Sequence, residues 1–303
     1  FALVKKKVGE TVYGIGWLPL GGYVKIAGMI DESMDKEAMK QPPKEWEFRS
    51  KPAWQRLIVM LGGIIMNILV AFVIYAFILM IWGDKKTPIA SVKNGIWVTD
   101  SVMTKLGFQN GDKIISVNGD SLKYFEDVQA KILIGGRQVL LERDGKNVEL
   151  KLPIDLIDKL ITRKDKKRVL ISERLPAIVG AYKEKDTAYG KQAGLQPFDR
   201  VIAVNDQPIN FIDEVNEVGA KNKKGTVTVK VLRGADTLTM TNKVTDDGRL
   251  ELALLTDEQY DSLGVYDVVT KKYGFFASFP AGVKKAGEKL QSYVDQFKLI
   301  LNP

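Results

Sequence analysis

The chain has 303 residues, with 45 lysines and arginines against 37 aspartates and glutamates, for a net charge of +8. It contains no cysteine and no histidine, which excludes disulfide frameworks, thiolate metal sites, Ser-His-Asp and Cys-His catalysis, and every zinc site built on imidazole. Its lysines are scattered and no nucleic-acid-binding signature accompanies them, so the positive charge reads as a basic surface facing solvent or anionic lipid.

Residues 11–26 read TVYGIGWLPLGGYVKI. Strand formers such as Val12, Tyr13, Ile15 and Tyr23 are interrupted by Gly14, Gly16, Pro19 and the pair Gly21-Gly22, which permits tight turns and close backbone approach. The pattern predicts two or three short strands in a glycine-rich β-hairpin. An isolated hairpin is marginal in water, so this one leans on a membrane or on further chain. It is either an edge hairpin of a soluble domain or a hairpin at the membrane that offers an unpaired edge to an extended peptide. Residues 30–50 predict a short polar helix ended by Pro42-Pro43, then a surface connector.

From Leu57 to Trp82 no side chain is charged, and Asn67 is the only strongly polar one. As a helix these residues would be roughly 39 Å long, against a hydrocarbon core of roughly 30 Å. They read as a transmembrane helix, the alternative being the central helix of a large soluble domain. Lys40, Lys44, Arg49, Lys51 and Arg56 precede the span, whereas only Lys85, Lys86 and Lys93 follow it closely. The positive-inside rule therefore places the N-terminal side in the cytoplasm and the larger C-terminal part across the membrane. Trp54 and Trp82 suit the two interfaces.

A repeat follows. Residues 107–122 (GFQNGDKIISVNGDSL) and 194–209 (GLQPFDRVIAVNDQPI) share six of sixteen positions at an offset of 87. Phe125, Val128 and Ile132 are spaced for one helix face, as are Ile212, Val215 and Val218. Alternating strands ending in an arginine come next, at 139–152 and 227–240, with the offset grown to 90 by an insertion near Lys221–Gly225. Asp112 and Asp199 are read as turn caps, and Asn118 and Asn205 as left-handed turn residues. The pattern G-D-x-I-x-x-V-N-G-x-x-I resembles the PDZ domain in its bacterial strand order. Two tandem PDZ domains would bind extended peptide between a sheet edge and a helix. Leu175–Gly180 is assigned as the ligand-facing strand of the second copy, opposite Ile212–Val218. Its groove residues are Ala177, Ile178, Val179 and Val215. For the first copy Pro88–Val92 is assigned, opposite Phe125–Ile132. The alternative is that a copy serves only as a spacer or size filter. Phe198 stands where the first copy has Gly111.

Residues 279–301 place Phe279, Val283, Ala286, Leu290, Val294, Phe297 and Leu301 on one stripe, with lysines and polar residues opposite. This amphipathic helix lies on the membrane surface or packs on a PDZ domain. The chain opens on Phe1 and ends on Asn302-Pro303 just past this helix, which reads as a piece of a longer protein. The organisation is a membrane protein of mixed α/β class. Residues 1–50 form the hairpin region and polar connector, 51–84 the transmembrane helix, 85–160 and 161–256 the two PDZ domains, and 257–303 a linker and amphipathic helix.

The string Leu18-Pro19-Leu20-Gly21-Gly22-Tyr23-Val24-Lys25, Trp54-Gln55-Arg56 entering the span, Gly63 and Asn67 within it, the PDZ pair and Phe279-Pro280-Ala281-Gly282 together resemble the RseP-like branch of the site-2 proteases. These are intramembrane zinc metalloproteases. The resemblance implies regulated cleavage of single-span membrane proteins, such as anti-sigma factors, or of remnant signal peptides, in the bacterial inner membrane. The hairpin side would be cytoplasmic and the PDZ domains periplasmic. Gly21, Gly22 and Tyr23 would pair with unwound substrate, Asn67 would hydrogen-bond its backbone, and the PDZ domains would screen out substrates that keep a bulky outer domain. In the family two histidines of an H-E-x-x-H helix and the aspartate of an L-D-G motif hold zinc, and the glutamate is the general base. Neither motif is present, so no residue here is catalytic or a metal ligand by that route. The chain as given should be inactive alone. Ile64 replaces the proline of the family's Gly-Pro-x-x-Asn motif, which should straighten the helix locally. The competing reading is a membrane-anchored tandem-PDZ scaffold or adaptor without chemistry.

Overall fold

The computed structural model describes residues 2–9, 11–16, 26–29, 42–163 and 169–301. It divides into two compact units, Phe1–Val73 and Ile74–Pro303.

In the first unit β1 (Ala2–Val8) and β2 (Thr11–Gly16) form an antiparallel hairpin, with Val8 opposite Thr11 and Gly9 at φ +64° in the turn. The strand expected from residue 11 onward therefore pairs backwards, with a lysine-rich segment that no apolar alternation announced. Val4, Val8, Val12, Tyr13 and Ile15 are all exposed, so none of the described residues covers the ribbon. Residues 17–25, which hold Gly21, Gly22 and Tyr23, lie outside the described residues, as do 30–41, where the polar helix was expected. A single 3-10 turn, Phe48–Ser50, precedes the long helix.

Helix α1 runs without a break over Ala53–Ile81, 29 residues and therefore about 43 Å. Ile64 lies inside this continuous helix. Of its residues only Ala76 and Leu79 are buried, while Leu57, Ile58, Met60, Ile64, Met66, Leu69, Ile74 and Phe77 are exposed. A core helix of a soluble domain would hide those side chains; this one is long and apolar enough to cross a membrane and is a candidate span.

In the second unit β3 (Asp84–Lys86) follows α1. The first repeat then consists of β4 (Ile96–Val98), α2 (Ser101–Lys105), β5 (Lys113–Val117), β6 (Asp120–Ser121), α3 (Glu126–Leu133), β7 (Gln138–Arg143), β8 (Lys146–Lys151), α4 (Leu156–Thr162) and β9 (Ile171–Glu173). The second contains α5 (Tyr189–Gln192), β10 (Arg200–Val204), β11 (Gln207–Pro208), α6 (Ile212–Lys221), β12 (Thr226–Arg233) and β13 (Asp236–Lys243). It is followed by α7 (Asp257–Ser262), β14 (Val269–Lys271) and α8 (Phe275–Leu301). The two four-stranded sheets have the same order, β6-β5-β7-β8 and β11-β10-β12-β13. Both carry a register shift at the same place, between Ile114 and Ser116 and between Val201 and Ala203. Four residues separate helix and strand in both copies, 134–137 and 222–225. The insertion thus lengthens the end of α6 by one residue and the start of β12 by two rather than the loop.

Each repeat has its own core. Met103, Phe108, Val117, Val128, Ile132, Val139 and Leu141 fill the first, and Val179, Val201, Val204, Val215, Val229, Val231 and Leu250 the second. Leu170 and Ile171 belong to the first core, so the first repeat continues past the boundary read at residue 160.

The conserved geometry of the copies rests on an ion pair in each. Asp112 accepts from the Gln109 N–H at 2.8 Å and from Nε and Nη2 of Arg143 at 2.7 and 2.8 Å. Asp199 does the same with Gln196 and Arg233, at 2.8, 2.7 and 2.7 Å. The expected turn-capping aspartate is thus also the anchor for the arginine that ends the hairpin strand. Asn118 and Asn205 adopt φ +55° and +47°, as expected. Phe198 takes φ +69° where Gly111 takes +94°, a conformation that costs an L-residue roughly 1–2 kcal/mol. The ring is exposed, so nothing is lost by removing it. Phe198→Gly is expected to raise the urea midpoint of the second repeat. The gain should be below about 1 kcal/mol, because glycine also loosens the unfolded chain. A lower midpoint would show that the ring packs in solution.

Strands β3 and β14 pair antiparallel, Asp84 with Lys271, and so bring the end of α1 beside the start of α8. Gly83 at φ +75° permits this, since a Cβ there would meet the Lys271 carbonyl at 2.9 Å. Lys285 of α8 reaches Asp84 at 2.7 Å. Helix α8 begins four residues before the expected Phe279 and carries Pro280 in its second turn. Along it, among the described residues, Phe279, Val283, Leu290, Val294 and Phe297 are exposed, whereas Ser278, Gly282 and Ala286 are buried.

Candidate functional site

The most suggestive edge in the second unit is that of β9. It pairs antiparallel with β4, Ile96 opposite Glu173, Trp97 opposite Ser172 and Val98 opposite Ile171. Ile96 spends its own backbone on the far side, donating to the Asp112 carbonyl and accepting from the Gly111 N–H, both at 2.8 Å. Val98 likewise donates to Asn110 Oδ1 at 2.8 Å. The residues opposite them therefore form non-hydrogen-bonded pairs, and Ile171 and Glu173 point their N–H and C=O groups away from β4. Among the described residues these groups make no backbone–backbone hydrogen bond. Helix α3 stands beside this edge, because Gln129 Oε1 accepts the Leu170 N–H at 2.8 Å. An open strand edge flanked by a helix is the geometry that an added peptide strand requires.

Pro88–Val92 does not form the strand assigned to it. Ile89–Ser91 is a 3-10 turn, and Pro88 bridges to Tyr124 ahead of α3. A proline and a buried serine hydroxyl bonded back to the Pro88 carbonyl close the turn locally. The segment equivalent to Leu175–Gly180 is instead Val92–Trp97, since Val179 exchanges with Asp199 and Phe198 the same two bonds that Ile96 makes with Asp112 and Gly111. Leu175–Gly180 itself has no free edge. Ala177 accepts from the Val201 N–H on one side, and the Gly180 N–H donates to the Ala253 carbonyl on the other, at 2.7 Å. Ala177, Val179 and Val215 are buried in the second core, and Ile178 packs against the cluster of Leu255, Tyr260 and Tyr266. Three of the four residues named as a peptide groove, Ala177, Val179 and Val215, thus form interior packing, and Ile178 is half-buried. The second repeat's counterpart of β9 is the stretch around Ala253. There the chain closes on its helix, as a Cβ on Gly219 would meet the Gly248 carbonyl at 2.3 Å.

Between the repeats lies a buried polar lock that sequence reasoning missed. Asp213, in the first turn of α6, is 3% exposed. It accepts from Asn110 Nδ2 at 2.9 Å and from Arg174 Nε and Nη2 at 3.0 and 2.9 Å. Arg174 Nη2 also reaches Glu214 at 3.0 Å, and its guanidinium lies 3.9 Å from the Phe211 ring centre. Asn110 belongs to the first repeat and Asp213 to the second, while Arg174 is the residue immediately after β9. No local pattern marks partners 103 and 39 residues apart.

Glu173, at the open edge, has its carboxyl pushed above the usual range, chiefly by burial and then by the charges of Glu126 and Asp257. Ionising it is therefore harder in the folded than in the unfolded chain. Stability is lost as pH rises from the ordinary carboxyl value of 4.5 through the raised folded value. Glu173→Gln is expected to raise the thermal midpoint by a few degrees at pH 7 and leave it unchanged near pH 4, by calorimetry. An equal effect at both would remove electrostatics as the cause.

Asn67 sits exposed midway along α1 with no side-chain hydrogen bond among the described residues. Gly21, Gly22 and Tyr23 fall outside them. The sequence offers neither imidazole nor thiolate, and among the described residues no three carboxylates converge. The chain's donor set does not fit the metal.

The profile of Peptidase family M50 matches residues 1–302. A Treponema pallidum protein described as "Putative zinc metalloprotease" is 24% identical over 292 residues, covering 93% of this chain and 62% of that protein. Metalloprotease MmpA of Caulobacter vibrioides is 28% identical over 166 residues, covering 48% of this chain and 41% of that protein. A Chlamydia trachomatis protein of the same description as the first is 37% identical over 122 residues, 39% of this chain and 19% of that protein. The chain thus spans less than two thirds of each of these relatives.

Proposed function

The chain belongs to peptidase family M50, and from that premise we propose that it is the substrate-handling part of a site-2 protease, an intramembrane zinc metalloendopeptidase that cleaves single-span membrane proteins. The observation that carries this reading is the order along one chain. A 29-residue apolar helix that ends at Ile81 is followed, from Ile96 on, by a repeat whose strand β9 has an open edge. A helical peptide bond is shielded from attack, and pairing with an open strand edge supplies the hydrogen bonds that unwinding forfeits. The repeats act as a PDZ pair that screens substrates outside the membrane. The Gly21-Gly22-Tyr23 stretch and Asn67 hold the unwound segment. The zinc ligands and general base come from outside these 303 residues, which have no histidine. The protein sits in the bacterial inner membrane, hairpin side cytoplasmic.

The test uses the natural protein that carries this chain, in proteoliposomes with a single-span substrate bearing or lacking a bulky outer domain. Chelator-sensitive cleavage of the trimmed substrate, and gain of cleavage of the bulky one when 85–256 are deleted, are expected. Absence of chelator-sensitive cleavage would overturn the reading. The competing reading is a membrane-anchored scaffold that binds extended peptide without cutting it, and chelator-sensitive cleavage would exclude it.

A further inference from the structure

The foot of α1 carries a cavity of about 450 Å³ inside the first unit. It is built by backbone contact: the Phe48 N–H donates to the Ala27 carbonyl at 2.9 Å, and a Cβ on Gly28 would meet Glu47 Cβ at 2.8 Å. Trp46, Phe48, Trp54 and Ile58 make its apolar wall, and Lys51 and Arg56 stand at it with no acidic residue among the lining. The neighbouring Glu47 is engaged by Arg49 at 2.6 Å. Lys51 and Arg56 have no ion-pair partner among the described residues, and Lys44 adds a third cation 5.5 Å from the Trp46 ring centre. The volume is that of an ordinary small-ligand site.

Depth selects the occupant. At about 43 Å, α1 exceeds the roughly 30 Å hydrocarbon core, so its first turn lies among headgroups while Ile58 and Val59 reach the acyl region. Cations at phosphate level above apolar walls match one amphiphile with a negative head. A zwitterionic head would bring its own ammonium against Lys44, Lys51 and Arg56, and a soluble anion would leave the indole walls wet. We propose that this cavity binds an anionic phospholipid, its phosphate between Lys51 and Arg56 and its first acyl methylenes against Trp54 and Ile58. The proposal rests on α1 lying in a bilayer, and its readout is lipid retention rather than proteolysis, so either reading can fail alone.

Native mass spectrometry of the full chain released from micelles, with phosphatidylglycerol and phosphatidylcholine of identical acyl chains, tests it. Retention of phosphatidylglycerol about tenfold above phosphatidylcholine is expected, a difference of about 1.4 kcal/mol. In the Lys51→Gln/Arg56→Gln variant the preference should fall to near parity, with the helical circular dichroism unchanged. Millimolar inorganic phosphate should not displace the lipid. Equal retention of both lipids, a preference that survives in the double variant, or displacement by phosphate would each overturn the proposal.

Discussion

Asp213→Ala is expected to uncouple the two repeats. The substitution leaves Arg174 with only Glu214 and the Phe211 ring, and Asn110 with no acceptor at α6. Removing one partner of a buried pair costs about 3–5 kcal/mol, because the remaining charge stays desolvated and uncompensated. Two readouts separate loss of the lock from general unfolding. Thermal unfolding of the full chain should lose single-transition behaviour. The distance distribution between spin labels at exposed sites, one in each repeat, should broaden while circular dichroism keeps both sheets. A distribution as narrow as that of the unsubstituted chain would show that the hydrophobic contacts alone hold the repeats together. Arg174→Met, which keeps the stem but removes the charge, should broaden it as well. Because Arg174 directly follows β9, loosening this lock also frees the edge on which strand addition is proposed.

Asp199→Ala should be the most damaging change within a repeat. Its carboxylate is fully buried and joins the turn at Gln196 to the arginine that ends β12. A loss of about 3–5 kcal/mol is expected, a large part of a domain's total stability. Asp112→Ala should act alike on the first repeat through Arg143. The Asp199 case carries a pH signature. Burial pushes its carboxyl up, but the Arg233 guanidinium and the Gln196 N–H outweigh it and hold the group below its ordinary 3.8. Its stabilisation is therefore fully present above that value and is lost as pH falls through the depressed folded value. Urea midpoints of wild type and Asp199→Ala should converge as pH drops below about 4 and stay apart at pH 7. Parallel curves throughout would rule out the carboxylate charge as the source.

The repeat was legible because its marks are local. A Gly-x-x-x-x-Asp step, an asparagine at a left-handed turn and a strand of alternating valines recur at a fixed offset, and the structure places each equivalently. The edge strands were not legible. β4 and β9 are three residues each and lie about 75 apart. A three-residue strand has too little alternation to reveal which face it buries. Assigning the second copy's ligand edge to LPAIVG followed its apolar run, but the segment makes only isolated bridges, at Pro176 to Phe211 and at Ile178 to Arg200, and its Ala177 and Val179 are core residues.

The sequence by itself determined that one segment needs apolar surroundings, lipid or protein interior, because 26 consecutive uncharged residues leave no polar face to turn towards water. It also determined that the chain cannot build a zinc site from histidine or cysteine, and that a strand–turn–helix–hairpin unit occurs twice. The tertiary structure alone decided which strand edge stays open, that β9 completes the first core, that Arg174 and Asp213 join the repeats, and that α8 starts beside the end of α1. Each of these is a pairing between residues far apart in the chain. Local propensity and periodicity report only on neighbours along the helix or strand, whereas edge exposure and buried ion pairs depend on which distant segment arrives.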